Sequence, residues 1–388
     1  MMFSNRVPTD LAPNRLTTAE LSIRARGIRL IDLTETNPTR VGLAYPADVL
    51  AALGAPAGMS YDPHPFGLAS ARQAIADEIS RSGRTVDPAR VVLTASTSEA
   101  YSFLFKLLCN PGDQVLVPVP SYPLFEHLTR LELVEVRPYP LEYHGAWSID
   151  RDAVEAAITP RTRAVLVVSP NNPTGSVLTR GDLSLLARVC ASRRLALIGD
   201  EVFCDYLLDA RPDAARVLDQ DEALTFSLGG LSKSAGLPQL KLGWMVAGGP
   251  APLVDAALAR LEIICDAFLS VSTPVQQAAG ALLAAGRQVR GLILDRVQRN
   301  LQALHALVLQ EPSCSVHRVE GGWSAVIRVP ATRAEERLVL DLLEQDHVLA
   351  HPGYFFDFPH EAFVIVSLLP EPAEFRNGVA RLLARASA

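Results

Sequence analysis

The chain has 388 residues, 49% hydrophobic and 20% charged, which allows a large core and two or three domains and excludes a disordered chain. A formal net charge of -6, with basic residues scattered rather than blocked, argues against nucleic acid as a partner. No apolar run approaches the ~20 residues that span a bilayer, and Met1 to Asn14 carries no apolar signal region, so no membrane association is expected and the cytoplasm is the expected location.

Short β-branched runs alternate with longer amphipathic stretches, the pattern of a parallel α/β architecture. Residues 90–94 predict a strand and 98–109 the helix after it. A second strand, 114–118, is entered through the turn Asn110-Pro111-Gly112-Asp113. Further strands are predicted over 164–169, 195–199, 224–227 and 242–247. The stretch 180–194 is long enough to be a crossover helix. After Leu253 the pattern is mainly helical to about Leu309. A strand-rich segment follows over 314–329, then a helix over 332–345, a strand over 363–367 and a last helix over 374–386. This second half reads as a smaller α+β domain. Five separated cysteines (Cys109, Cys190, Cys204, Cys265, Cys314) without a CxxC pair read as free thiols in a reducing compartment, with no metal site.

Three motifs carry chemistry, in this order: Asn171-Asn172-Pro173-Thr174-Gly175, then Gly199-Asp200-Glu201-Val202-Phe203 closing an apolar run, then Ser232-Lys233-Ser234-Ala235-Gly236. Alone, the first is an ordinary turn, while a helix N-cap is the alternative for the second and a solvated loop lysine for the third. Together they suit pyridoxal phosphate (PLP): a lysine amine forms a Schiff base with the aldehyde, and a carboxylate pairs with the pyridinium nitrogen. Lys233 is then both anchor and general base, its amine made useful by a small-residue setting that lowers its pKa. Asp200, ending a buried strand, points into the crevice where open α/β sheets bind ligands. Asn172 offers an amide to the cofactor's ring oxygen, and Glu201 is left as either functional or structural. Ser96-Thr97-Ser98, between strand and helix, supplies hydroxyls and backbone donors for the phosphate, unless the cluster is only a helix cap; Lys241 supplies the cation.

These motifs make the chain resemble a fold-type I PLP-dependent enzyme of the class I/II aminotransferase family, from about Leu30 to the C-terminus. The resemblance implies the aspartate aminotransferase-like fold: a large, doubly wound, mostly parallel α/β domain over 49–270, and a small α+β domain made of 14–48 with 271–388. It also implies a homodimer. Tyr61, before Pro63 and Gly67, matches a tyrosine that reaches the partner subunit's phosphate; Tyr122, in Pro120-Ser121-Tyr122-Pro123, matches the aromatic that stacks on the ring. The segment His351-Pro352-Gly353-Tyr354-Phe355-Phe356-Asp357 resembles a substrate-side loop, with turn packing as the open alternative.

Several positions depart from the family pattern. Phe203 stands where relatives carry a tyrosine whose hydroxyl bonds the ring oxygen, Gly230 replaces a phosphate-side serine, and Lys241 replaces an arginine. Ser96 and Thr36 stand where glycine is frequent. The largest departure is Ile365, where relatives place an arginine that grips the substrate α-carboxylate; Arg40, and more weakly Arg26, are the candidate replacements. The expected activity is transamination between an amino acid or amine and a keto acid, by a ping-pong mechanism. Elimination, decarboxylation or a specialised biosynthetic step on the same scaffold is the alternative. A non-enzymatic PLP sensor is the third reading, and the absence of room for a winged-helix domain before Leu30 weighs against it.

Overall fold

The computed structural model describes residues 2–209 and 211–388. In chain order the main elements are α1 (Arg15–Ala25), β1 (Ile31–Asp32), α2 (Ala69–Ser80), β2 (Val91–Thr94), α3 (Thr97–Leu108), β3 (Gln114–Val119) and α4 (Leu124–Leu131). They continue with β4 (Glu135–Tyr143), β5 (Trp147–Ile149), α5 (Arg151–Ala157), β6 (Thr162–Val168), α6 (Arg180–Arg193), β7 (Ala196–Asp200), β8 (Thr225–Gly230), the four-residue α7 (Leu231–Ser234) and β9 (Gly243–Gly248). The remainder is mainly helical: α8 (Ala251–Asp266), α9 (Thr273–Val308), β10 (Ser315–Val316), β11 (Ser324–Arg328), α10 (Glu335–Asp346), β12 (Val348–Leu349), β13 (His351–Pro352), β14 (Phe363–Ser367) and α11 (Pro372–Ser387).

Strands β2 to β9 form one eight-stranded sheet in the order β2-β9-β8-β7-β6-β3-β4-β5. The pairs β8–β7, β7–β6, β6–β3 and β3–β4 are parallel, while β9 runs antiparallel to both β2 and β8, and β5 to β4. Strands β2, β8 and β9 are buried along their whole length, and β6 and β7 nearly so, because helices cover both faces of the sheet; this is why they read as unbroken apolar runs. The crossover helix α6 starts from a capping box between Thr179 and Asp182 and stops at Arg194 in the left-handed region.

A second, four-stranded sheet has the order β10-β11-β14-β13, and β1 pairs in parallel with β12. The 36-residue α9 links the two halves of the molecule. Its first turns (Val275, Ala279, Leu282) pack beneath β2 and α2, and its later ones (Val289, Ile293, Val297, Leu304) enter the core under β11 and β14.

The strands and helices expected from sequence appear within a few residues. Several elements went unread: helices α1, α2, α4 and α5, strand β4, and the short strands β1, β5, β12 and β13. Helices α1 and α2 carry weak apolar patterning, and β4 contains Pro138 and Pro140, which argue against a strand. The two prolines are two residues apart, so their missing N–H groups face one side. That side is the free flank of β4, since β3 pairs along the other and β5 reaches only Leu141 to Tyr143.

Candidate active site

One edge of the large sheet gathers nearly every candidate residue. Ser96 follows β2, Tyr122 follows β3, Asn172 follows β6, Asp200 ends β7 and Lys233 follows β8. Lys241 precedes β9, whose antiparallel direction brings its N-terminal end to the same edge. Residues scattered over about 145 positions thus converge where open α/β sheets place their ligands. Tyr61 does not join them: it is 74% exposed, on a rim shared with His64, Leu93 and Val271.

The chain has three lysines, Lys106, Lys233 and Lys241. Lys106 is held on the surface by Glu132 and Ser102, and Lys241 is exposed in a left-handed backbone conformation. Lys233 differs from both. Its Nζ lies 5.5 Å from the ring centre of Phe203 and 4.8 Å from that of Trp323, and burial pulls its pKa down from 10.5 to about 8 against the opposing field of Asp200. The lysine sits on a helix rather than in an open turn. A four-residue helix leaves carbonyls unsatisfied in itself and in the turn that follows, and side chains from three directions reach them. The Tyr206 hydroxyl donates to the Lys233 carbonyl (2.6 Å), Arg290 Nε to that of Ser234 (2.9 Å) and the Tyr45 hydroxyl to that of Gly236 (2.6 Å). Beneath, Gly286 of α9 lets α7 approach so closely that a Cβ there would lie 2.3 Å from that of Ala235.

Asp200 is the other ionisable group at the centre. Burial pushes its pKa up to about 6, while hydrogen bonds from the Tyr101 hydroxyl (3.0 Å to Oδ2) and the Val202 amide (3.3 Å to Oδ1) hold it down. Tyr122 stands close enough that the Asp200 charge adds to burial in raising its phenol. Glu201 points away from the crevice and is structural. Its carboxylate, 2% exposed as a residue, accepts from Arg216 Nε and the Arg216 terminal nitrogen (3.2 and 3.1 Å), from the Val217 amide (2.9 Å) and from the Ser227 hydroxyl.

At the α3 end, Ser96 is the N-cap, accepting from the Glu99 amide at 3.2 Å, while the Glu99 carboxylate takes the Ala95 amide at 2.7 Å. Thr97 and Ser98 occupy the first turn and remain partly accessible. Gly243 keeps the β9 backbone tight against this turn, since a Cβ there would meet the Ser96 carbonyl carbon at 2.9 Å.

Across the crevice, the Ser324 hydroxyl donates to Asn172 Oδ1 at 3.2 Å, so the β11 face bearing Ser324 looks toward the site. Register places Val326 opposite Ile365 and Ser324 opposite Ser367, so Ile365 belongs to the same face. Ile365 is 3% exposed and packs with Trp147, Val326, Phe356 and Phe358. The Phe356 carbonyl accepts from the Ser121 amide at 3.1 Å, which docks the aromatic turn beside Tyr122. Where the sequence lacks the arginine, the structure has an apolar wall. Arg26 and Arg40 are both exposed; the segment leading to Arg40 is tied to β14, the Ser367 hydroxyl donating to the Glu35 carbonyl at 2.7 Å.

Sequence reasoning missed Tyr101, Tyr206, Tyr45 and Trp323. A signal existed for Tyr101: it lies one turn after Thr97, on the inward face of α3, and a buried phenol requires a partner. The donor set suits PLP. It offers an amine of lowered basicity, a carboxylate at the strand edge, and a hydroxyl-bearing helix start of a 12-residue helix, against which only a glycine allows β9 to close.

Comparison with known proteins agrees. The family model for aminotransferase class I and II matches residues 48–382. The chain is 28% identical over 356 residues to glutamate-pyruvate aminotransferase AlaA of Escherichia coli, covering 89% of this chain and 88% of that protein. It is 30% identical over 283 residues to arginine–pyruvate transaminase AruH of Pseudomonas aeruginosa, covering 72% of this chain and 70% of that one. Among solved structures, an aminotransferase from Escherichia coli superposes with a TM-score of 0.88 at 25% identity, covering 100% of this chain and 98% of that one. The chain therefore belongs to the class I and II aminotransferase family and is a PLP-dependent transferase.

Proposed function

We propose that the enzyme moves an amino group between an amino acid and a 2-keto acid, with Lys233 as the catalytic base. The observation that carries this reading is the Lys233 amine, set against the Phe203 and Trp323 rings with its pKa lowered to about 8. When bound, PLP supplies an aldehyde for amino exchange and a ring that draws electrons from the substrate α-carbon. Lys233 Nζ would hold it and, once displaced by the substrate amine, would be the base that takes the proton from the substrate α-carbon. Asp200 would hold the proton on the ring nitrogen. Because Asn172 Oδ1 is occupied by Ser324, its Nδ2 is the atom left to donate to the ring oxygen, and Phe203 offers no second donor there. Tyr122 would pack against the ring, and Ser96, Thr97, Ser98, Ser232 and Lys241 would hold the phosphate.

Pyruvate, named as a substrate of the AlaA and AruH relatives, is the acceptor we assign. Arg40 is the cation we assign to the substrate carboxylate, swinging from a segment already tied to β14. The apolar wall at Ile365 favours a second reading, in which the donor presents an uncharged group: an amine or a carboxylate-masked amino acid. The division into 49–270 and 14–48 with 271–388 accompanies this reading, as do a homodimer that brings Tyr61 to the partner's phosphate and a cytoplasmic location. The experiment is a spectral titration of the PLP-loaded protein with amino acids and with the matching simple amines. Loss of the yellow band with amino acids, restored by pyruvate, is expected. Loss with amines alone would move the substrate class, and ammonia release without an acceptor would replace transamination by elimination.

A further inference from the structure

A phenol stands behind the central carboxylate. Tyr101 enters from the first turns of α3, and its hydroxyl lies 3.0 Å from Asp200 Oδ2. The residue is 2% exposed, its ring edge-on to Phe125 (centroids 5.3 Å apart, planes at 81°) and tilted against Phe105 (5.9 Å). Rotation of the ring is thus blocked, and the hydroxyl has one place to aim.

We propose that Tyr101 is a positioning residue for the transamination: it fixes the rotamer of Asp200 and supports its charged form from behind, leaving Oδ1 toward the crevice. The inference rests on the reading of Asp200 as the partner of the cofactor nitrogen. A carboxylate at a strand end can turn about its Cα–Cβ and Cβ–Cγ bonds, and the Val202 amide alone, at 3.3 Å, is a weak brake. A donor to Oδ2 stops that rotation. It also stabilises the ionised form, because a phenol hydrogen bond to a charged oxygen is stronger than one to a protonated carboxyl. The other charged or titratable groups acting on Asp200 are Glu201 beside it on β7, which disfavours its charge, and Lys233 on α7, which favours it; the Tyr122 phenol after β3 is coupled to it as well.

The test is Tyr101→Phe, which removes one oxygen and keeps the ring, with Phe125→Leu as a packing control and Asp200→Asn as a check on the underlying reading. The first readout is the pH dependence of PLP retention by the loaded enzyme. The second, independent of activity, is the titration of the Asp200 carboxyl carbon by NMR in the cofactor-free protein. Tyr101→Phe is expected to move both acid midpoints up by about one pH unit and to weaken PLP retention about ten-fold at pH 7, the loss of one charge-assisted hydrogen bond. Phe125→Leu is expected to lower thermal stability without moving either midpoint. A Tyr101→Phe protein that melts earlier but titrates like the wild type would overturn the proposal and leave Tyr101 as packing. If Asp200→Asn retains PLP as tightly as the wild type, the reading of Asp200 itself fails, which is a different outcome. Should Tyr101→Phe not fold, the wild-type protein decides: the Tyr101 ζ-carbon is expected to shift through the Asp200 midpoint, and a ζ-carbon that does not move there would overturn the proposal.

Discussion

Replacing Glu201 by Gln tests how the catalytic edge is anchored. Glu201 follows Asp200 directly and takes four donors, two from Arg216, one from the Val217 amide and one from Ser227, with its side chain 1% exposed. Arg216 keeps some solvent contact, its side chain 28% exposed, so the pair is sealed on one side only. Breaking a buried pair by neutralising one member costs about 3–5 kcal/mol, and the partial exposure of Arg216 sets the expectation near 3 kcal/mol. The glutamine amide also turns a donor toward Ser227 or the Val217 amide, where an acceptor was needed. An unfolding entropy of roughly 2.1 cal/mol/K per residue over 388 residues makes each kcal/mol worth about 1.2 °C, so the midpoint of thermal unfolding should fall by about 4 °C. Calorimetry of the PLP-loaded variant measures this. A second change, Arg216→Met, should recover part of the loss, because it removes the uncompensated guanidinium. A midpoint within about 1 °C of the wild type in the single variant would refute the assignment of Glu201 as a buried anchor.

Three further outcomes follow from the same geometry. Capture of PLP by the cofactor-free protein needs the neutral amine, and the Lys233 pKa is lowered; the capture rate should therefore rise with pH up to about 8 and flatten above it, and a rate flat across this range, followed by stopped-flow absorbance, would contradict the lowered amine. Gly286→Val drives side-chain atoms into Ala235, so α7 must shift; PLP retention should drop at least ten-fold while far-ultraviolet circular dichroism stays near wild type, and unchanged retention would show that α7 is not held from below. Arg40→Gln should raise KM for amino acid donors about ten-fold with little change in the spectrum of the bound cofactor. An unchanged KM would remove Arg40 as the carboxylate cation and favour the uncharged donor.

The central sheet was legible because its strands are covered on both faces: Val91-Val92-Leu93 and Ala164 to Val168 are apolar throughout, a pattern helices on the surface do not share. The candidate residues stood out where a turn or strand end and a reactive side chain fall together, as at Asn172, Asp200 and Lys233. What escaped was whatever depends on long-range contact. Tyr206 caps a carbonyl of α7, 27 residues away, and Tyr45 one in the turn after it, 191 residues away, and no local pattern marks them. Ile365 could be read as a missing cation, but not that Trp147, Phe356 and Phe358 would fill the space around it, since those residues come from a hairpin and a turn far apart in the chain. Helix α2 was hidden by its composition: its buried face is Ala71, Ile75, Ala76 and Ile79, half of it alanine.

The most direct measurement is reductive trapping. The PLP-loaded protein is treated with borohydride, digested, and its peptides mapped by mass spectrometry. With three lysines in the chain, the account predicts the cofactor mass on the peptide carrying Lys233 and on neither of the peptides carrying Lys106 and Lys241. Label on Lys241 or Lys106, or a protein that stays unlabelled while transaminating, would contradict it.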